Sequence, residues 1–451
     1  MAHLVKSSVF KTLIRMAVPM LAGTFALNAY NLTDTWFVSR LGTDALAAMS
    51  FTFPVVMLLG FIMRGLGTGA MSIVAHALGG GRHKTAARVT THAIFLSSAI
   101  ACVLTAAGLV TIKPVFSRLG ASGDVLLMTQ RYMQIWYLGL VIRVIQMICG
   151  DIIIGTGNTK AASLLMVFGT VINFILDPIM IFGFFGFPKM GIQGAALATV
   201  LSEAGVMAAA FYILHKHHGL ISFLSYSRKK IFVSWRHILH LGLPSAFSSI
   251  LTPLSSAVVI KIVSGFGHAA VAACGVAVRI EMFAFMIPMS VGMSLVPFVA
   301  QNYGARRFDR IRTVRKGAMT FALLFGGAIA GVFILIARPL GGLFSKDPAV
   351  VNVLVRYLHI TCFGYGFLEV HRYAGFCLTG IHKPAASALL NTVRVIVLLI
   401  PLSLIGSRLF GLAGIFWGRL ITDIGSGIIG VFWTGKIIQQ HLLTAAAGNN
   451  E

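Results

Sequence analysis

A chain of 451 residues that is 57% hydrophobic and only 11% charged is not an ordinary soluble globule, in which about a quarter of the residues carry charge. The formal net charge of +24 does not point to nucleic acid either. Its cations collect in short connections between apolar runs, the distribution that orients membrane spans and meets anionic lipid.

Runs almost free of charge recur along the whole length, for example Met16–Ser39 with Asp34 as its single charge. Each can cross a hydrocarbon layer of ~30 Å, which takes about 20 helical residues. Backbone amides in lipid are satisfied only inside a helix or a closed barrel, and the runs lack the alternation of barrel strands, so helices are predicted. In chain order they fall at 12–38, 46–75, 89–112, 128–155, 161–185, 191–214, 239–264, 271–300, 317–337, 350–379, 384–405 and 412–435. The first run is too long for a secretory h-region and no cleavage motif parts it from further membrane segments, so it counts as the first span.

One set of loops carries Arg82, Lys84, Arg88, Lys160, Lys216, Arg228–Lys230, Arg236, the dense run Arg306–Lys316 and Lys383. The opposite set has fewer cations, chiefly Arg40, Lys113, Arg118, Lys189, Arg338, Lys346 and Arg408. The positive-inside rule then places both termini in the cytoplasm. The expected organisation is an N-terminal six-helix lobe at 1–214, a basic cytoplasmic linker at 215–238 lying on the membrane surface, a C-terminal six-helix lobe at 239–435 and a cytoplasmic tail at 436–451. Cys102, Cys149, Cys274, Cys362 and Cys377 all sit in apolar runs without a C-x-x-C pair, and are expected as buried small hydrophobes, neither disulfides nor zinc ligands.

The halves resemble each other. A fixed offset of 225 pairs Pro19 with Pro244, Val38-Ser39 with Val263-Ser264, Gly42 with Gly267, Gly67 with Gly292, Gly79 with Gly304 and Arg82 with Arg307. Further on, Thr156-Gly157 and Lys160 match Thr379-Gly380 and Lys383 at an offset of 223, as if a loop had lost residues. A repeat of six helices keeps one orientation, so the lobes are expected to be pseudo-symmetric about an axis along the membrane normal, the layout of an alternating-access transporter.

Pro19, the run Asn31-Leu32-Thr33-Asp34-Thr35, Gly155-Thr156-Gly157-Asn158-Thr159-Lys160, Gly194–Thr199 and Gln301-Asn302-Tyr303-Gly304-Ala305, in this order on twelve helices, resemble the multidrug and toxic compound extrusion (MATE) family over essentially the whole chain. The resemblance implies an all-α membrane protein of twelve transmembrane helices in two six-helix bundles, the fold shared with the MOP superfamily, and a prokaryotic branch with its cation site in the N-terminal lobe. It assigns coupling to Asp34, Asn173, Asp177, Thr199 and the backbone of Ala195. The other large branch carries a glutamate on the seventh helix, and none stands between His240 and Ile260 here.

Asp34 lies 19 residues beyond Arg15 and Asp177 lies 17 beyond Lys160. At ~1.5 Å per residue both carboxylates reach a similar depth, roughly 25 to 29 Å from the inner face. Thr199 begins about 12 Å down from the outer side by the same rise. Carboxylates, an amide oxygen and a hydroxyl suit a shared proton or a hard cation such as Na⁺, and no other metal site is expected. The plainer reading is two acids near the outer interface that simply meet water. Asn173 and Asp177 share one helix face, and Pro178 follows the acid directly. Pro178 and Pro19 are candidate bends, with packing kinks the equal alternative.

Other intramembrane charges are Arg64, Arg143, Asp151, Arg279, Glu281, Glu369, His371, Arg372 and Arg394. Such groups usually face the bundle interior and pair, Glu369 with Arg372 or with Arg394. Glu281, Glu369 and Arg372 are candidates for a polar cavity in the C-terminal lobe. His215, His217 and His218 read as a solvated cation cluster. The glycines Gly65, Gly67 and Gly69 read as close helix contacts.

The leading expectation is a secondary antiporter of the prokaryotic inner membrane, without a cofactor. It would export amphipathic or cationic small molecules, as a monomer among membrane lipid, against H⁺ or Na⁺. A flippase for lipid-linked precursors or polysaccharides of the same superfamily is the alternative, kept open by Arg64, Arg143 and Arg279. An enzyme is not expected: G-x-x-x-x-G-K-[ST] and H-E-x-x-H are both missing, and no paired-aspartate metal site is present.

Overall fold

The computed structural model describes residues 3–222 and 227–447; positions 223–226 of the expected linker, 448–451 of the expected tail and residues 1–2 lie outside the described residues. After a helical turn at His3–Lys6 the spans run as α1 (Val9–Ser39), α2 (Thr43–Gly79), α3 (His83–Arg118), α4 (Gly123–Gly155), α5 (Thr159–Phe182) and α6 (Ile192–His217). The second set is α7 (Arg228–Ser264), α8 (His268–Ala284 and Met286–Gly304, bent by 55°), α9 (Phe308–Phe344) and α10 (Pro348–Gly380). The last stretch, Pro384–Gln440, turns back at Gly411, whose φ of 58° and ψ of −142° break it into α11 (384–410) and α12 (412–440). That makes twelve spans, as predicted, and among the described residues there is no strand.

The repeat is visible in the backbone itself. Arg82 and Arg307 open α3 and α9 with φ/ψ of −90°/61° and −90°/66°. Each of their amides donates back over the turn, to Ala77 and Asn302 at 2.8 Å. The same offset of 225 joins Gly42 and Gly267, both of positive φ, Gly157 and His382, likewise positive, and the starts of α5 and α11 at Thr159 and Pro384. The expected shift to 223 is therefore corrected. No loop residue was lost, and the Thr-Gly match lay two positions out of structural register.

The chain forms two compact units, one of residues 15–246 and one of residues 2–14 with 247–451. These limits differ from the predicted lobes at two places. The first is the expected linker. α7 begins at Arg228, and residues 228–238 are helix, not a surface connection. Ile231, Trp235 and Ile238 recur at helical spacing among the cations, and Trp235 Nε1 donates to the carbonyl of His92 at 3.0 Å. Ser234 Oγ meets His92 Nδ1 at 2.9 Å, and the Ser222 amide donates to Thr91 Oγ1 at 3.0 Å. The second is the N-terminus. Arg310 is buried, donates to the carbonyls of Leu4 (3.0 Å) and Ser7 (2.6 Å) and to Asn302 Oδ1 (2.8 Å), and so ties the first residues to α8 and α9.

In the first unit α4 is central, packing against α2, α3 and α6. Glycines permit the approach: a Cβ on Gly139 would stand 2.2 Å from Val200, and one on Gly194 2.3 Å from the carbonyl of Met180. The predicted close contacts of α2 are present, with Gly65 against Gly242 and Ala246, Gly69 against Ile238 and Gly67 against Asp151. In the second unit two apolar cores are built around Phe298, Tyr373 and Cys377, and around Ala273, Tyr365 and Phe416.

The five cysteines are free, and Cys149, Cys362 and Cys377 are buried as expected. Cys102 is exposed and Cys274 half-buried, a correction with a simple cause. The outer face of a membrane helix meets lipid, so an apolar thiol gains nothing by turning inward. Pro19 and Pro178 both lie inside helices that run unbroken through them.

Candidate functional site

Five of the predicted site residues lie on three helices of the first unit: Asp34 on α1, Asn173 and Asp177 on α5, Ala195 and Thr199 on α6. Asn173, Asp177 and Ala195 are fully buried, and Asp34 and Thr199 nearly so. The four-residue spacing on α5 brings Asn173 Nδ2 to Asp177 Oδ1, to which it donates at 3.1 Å. α5 is held on α1 by side-chain hydroxyls, Ser163 Oγ donating to the carbonyl of Pro19 at 2.5 Å and Thr170 Oγ1 to that of Ala26 at 3.1 Å. Asp177 in turn feels the charge of Asp34, and Asp34 that of Arg143.

Three buried oxygens in this region have no hydrogen-bond donor: Asp34 Oδ1, Asn173 Oδ1 and Asp177 Oδ2. Buried acceptors are rarely left so, and an unpaired set commonly marks a place where an ion or a proton belongs. All three are hard oxygen acceptors, the donor type that suits H⁺ or Na⁺ and not a soft metal.

The surroundings join Arg143, already singled out as an intramembrane charge, to three groups missed by the sequence reading, Glu203, Tyr30 and Tyr132. Arg143 on α4 forms a two-pronged ion pair with Glu203 on α6, at 2.5 and 3.1 Å. Tyr30, one turn before Asp34, lies beside Thr199 and feels both members of that pair. Tyr132 on α4 senses Asp34, Arg143, Tyr30 and Glu203. Glu203 stands four residues beyond Thr199 and Tyr30 four before Asp34, so helical spacing from the predicted residues was the available signal.

In the second unit Glu281, Glu369 and Arg372 do not form one cluster by direct contact. Glu281 Oε1 accepts from Tyr357 and Tyr365 at 2.8 Å each, and its Oε2 pairs with Arg419 at 3.0 Å. Arg419 also donates to the Tyr357 hydroxyl and approaches Asp423 at 3.7 Å. Glu369 takes Arg372 as partner at 2.6 Å, while Arg394 binds Asp423 at 2.7 Å. Of the two partners foreseen for Glu369, the first is the one bonded. Arg419 and Asp423, at i,i+4 on α12, went unread although that spacing is itself an ion-pair signal. Glu281 is fully satisfied; Glu369 keeps Oε2 buried and without a donor.

His218 does not stand with its neighbours as a solvated cluster. His215 and His217 are exposed, whereas His218 is half-buried with Nε2 3.4 Å from Asn158 Nδ2, and its carbonyl meets His83 Nε2 at 2.9 Å. Burial lowers its pKa below the ordinary 6.5. Among the described residues no group of three or more His, Cys, Asp or Glu side chains is arranged to hold a metal.

Twelve apolar spans in two repeats, with acids buried inside several of them, make a multi-pass membrane protein with the two-lobed layout of a transporter. The chain belongs to the MATE family: the MatE family model matches residues 19–179 and again 244–405, the two copies starting at the paired Pro19 and Pro244. It is 32% identical over 443 residues to the FAD transporter of Shewanella oneidensis, covering 98% of each chain. It is 26% identical to the multidrug export protein MepA of Staphylococcus aureus, over 93% of this chain and 92% of that one. The Vibrio cholerae MATE transporter VcmN in its bent form superposes with a TM-score of 0.91 at 27% identity, over 96% and 98% of the two chains. MATE proteins are membrane transporters, and the MepA relative is named for multidrug export.

Proposed function

We propose that the chain is a monomeric secondary antiporter that exports amphipathic or cationic small molecules against an inward flow of H⁺ or Na⁺, with Asp34, Asn173, Asp177, Thr199 and the Ala195 backbone as its coupling site. The observation that carries this reading is the set of three unpaired, buried oxygens on α1 and α5. A carboxylate in low dielectric resists ionising until a cation reaches it, so loading and unloading change the energy of the closed site and can drive alternating access. Pro19 and Pro178 are the positions at which α1 and α5 would bend during that cycle, since each lacks the amide that would close its helical turn.

A second reading concerns the solute. The Shewanella oneidensis relative is named for FAD, an anionic dinucleotide, and the likeness spans 98% of this chain. It supports export of a flavin dinucleotide through the same coupling machinery. Both readings are tested by uptake into inverted vesicles carrying wild type or Asp34→Asn, energised separately by a pH gradient and by a Na⁺ gradient, with a fluorescent cationic drug and FAD as alternative solutes. Uptake that needs one gradient and Asp34 supports coupling at this site, and the solute that moves decides between the readings. Undiminished gradient-driven uptake by Asp34→Asn would remove the coupling assignment.

A further inference from the structure

At the cytoplasmic end of the second unit, α9 and α12 flank an open cavity of about 360 Å³ lined by Arg312, Arg315, Lys316, Gly435, Ile438 and Gln439. Its size lies within the range of small-ligand pockets, far above the space a single ion needs. Arg312, Arg315 and Lys316 occupy positions i, i+3 and i+4 of α9, so three like charges share one face, an arrangement that is unfavourable by itself.

None of the three has an ion-pair partner among the described residues, and the acid in the first turn of α9, Asp309, is taken by Arg307 at 3.3 Å. Arg315 is held in place through Nη1, which donates to the carbonyl of Val431 (3.0 Å) and to Thr434 Oγ1 (3.2 Å), and Thr434 is itself fully buried. Gly435 keeps the approach to this guanidinium open, since a Cβ there would stand 3.2 Å from Nη1 and 3.4 Å from Nη2. A seated planar guanidinium flanked by two exposed cations is the donor set that recognises phosphate oxygens, the arginine through its fork and the lysine as a point charge.

We infer that this cavity binds a phosphate-bearing anion, and that the bound anion relieves the repulsion among Arg312, Arg315 and Lys316. Two sources share that chemistry. The headgroup of an anionic phospholipid reaches it from the inner leaflet, where basic pockets between membrane helices collect such lipids. A soluble phosphate ester reaches it from the cytoplasm. The inference stands apart from the coupling site, which is on other helices of the first unit.

The test uses the purified full-length protein, stripped of lipid in neutral detergent and titrated in one arm with phosphatidylglycerol and in the other with ADP, binding being read by native mass spectrometry. Arg312→Gln/Lys316→Gln alters two exposed side chains and leaves Arg315 seated. Arg228→Gln/Lys229→Gln removes the same charge from exposed positions at the start of α7. Saturable binding that is roughly thirtyfold weaker in the cavity variant, about fivefold for each cation removed, and unchanged in the α7 variant, is the expected result. Binding confined to the lipid arm assigns the site to a headgroup; binding in the ADP arm assigns it to a soluble phosphate ester. Equal loss in both variants, or no saturable binding of either probe to the wild type, would overturn the inference.

Discussion

Thr170 on α5 donates its hydroxyl to the carbonyl of Ala26 on α1, and seven residues earlier on each helix Ser163 does the same to Pro19, so both pairs are 144 residues apart. A constant offset means two parallel helices in fixed register. Carried one further step of seven, the register brings Asp177 level with Thr33 and Asp34. The approach of the two carboxylates is thus set by hydroxyl-to-carbonyl contacts well below them in the membrane.

The double variant Ser163→Ala/Thr170→Val therefore tests both packing and coupling. Hydrogen bonds between membrane helices are worth about 0.6 kcal/mol each, so a fall of a few degrees in the melting temperature in detergent is expected. Gradient-driven uptake should fall with it, because the acids lose their register. Thr111→Val is the control: that hydroxyl bonds within its own helix, to Ala107 at 2.7 Å, and neither quantity should change.

Arg143 and Glu203 make a second prediction. Their side chains are 28% and 16% exposed, so the pair is mostly but not wholly desolvated. Arg143→Ala leaves Glu203 as an uncompensated charge beside Tyr30 and Thr199, at a cost on the order of 2 to 3 kcal/mol after allowance for that exposure. Arg143→Met/Glu203→Met should recover much of the stability, because both charges leave together. Uptake by the double variant then reports whether the pair matters to transport: full activity with restored melting would confine it to a structural role.

His218 supplies a pH dependence. Burial holds its pKa below 6.5, so the docked end of α6 favours the neutral ring. The stability this contributes is complete above pH 6.5 and is lost as the pH falls through the lowered value. His217 and His83 add repulsion in the same direction. The melting temperature of the wild type should therefore drop more between pH 8 and pH 5.5 than that of His218→Gln. Parallel curves for the two proteins would show that the ring does not titrate with folding.

How far the sequence carried the fold depends on which signal each element presented. The spans, the repeat and the acids Asp34 and Asp177 were legible because apolar length, a fixed offset and charge in a charge-poor run are all one-dimensional signals, whereas Asn173 came from the family resemblance. The start of α7 was hidden, since Ile231, Trp235 and Ile238 are sparse among Arg228, Lys229, Lys230 and Arg236, and a charge run reads as loop. The bend in α8 at Phe285 had a signal that went unread: Pro288 lacks the amide that would bond the Ala284 carbonyl. Glu203 shares a helix face with Thr199, and Arg419 and Asp423 share one with each other, but a partner such as Arg143 is 60 positions from Glu203, and only folding brings them together.

Glycine at the helix crossings gives a further prediction with an internal control. A Cβ on Gly326 would stand 2.3 Å from the backbone of Gly366, which has no side chain to move aside. Gly326→Ala should force α9 and α10 apart and destabilise the second unit by about 1 to 3 kcal/mol. Gly60 has nothing within 4 Å of the same position, so Gly60→Ala should be neutral or raise stability by up to ~1 kcal/mol through helix propensity. Equal effects from the two substitutions would mean that the close crossing is not what requires glycine.

The repeat also predicts where the second half is strained. Gly81 and Gly157 turn the chain into α3 and α5 with φ of 72° and 88°; their counterparts at the same offset are Arg306 and His382, which adopt φ of 57° and 62°. A left-handed backbone costs a residue with a Cβ about 1 kcal/mol or more, and glycine almost nothing. Arg306→Gly and His382→Gly should therefore each stabilise the protein, by about 0.5 to 1 kcal/mol once the greater entropy of the unfolded glycine is deducted. Gly157→Ala should have the opposite sign. The measurement is thermal unfolding of the three single variants in one detergent. If His382→Gly melted below the wild type, the contact of the His382 ring with Tyr303, at 6.0 Å between centroids, would outweigh the backbone strain. Arg306→Gly would then decide the question, since the Arg306 side chain is exposed and carries no such ring contact.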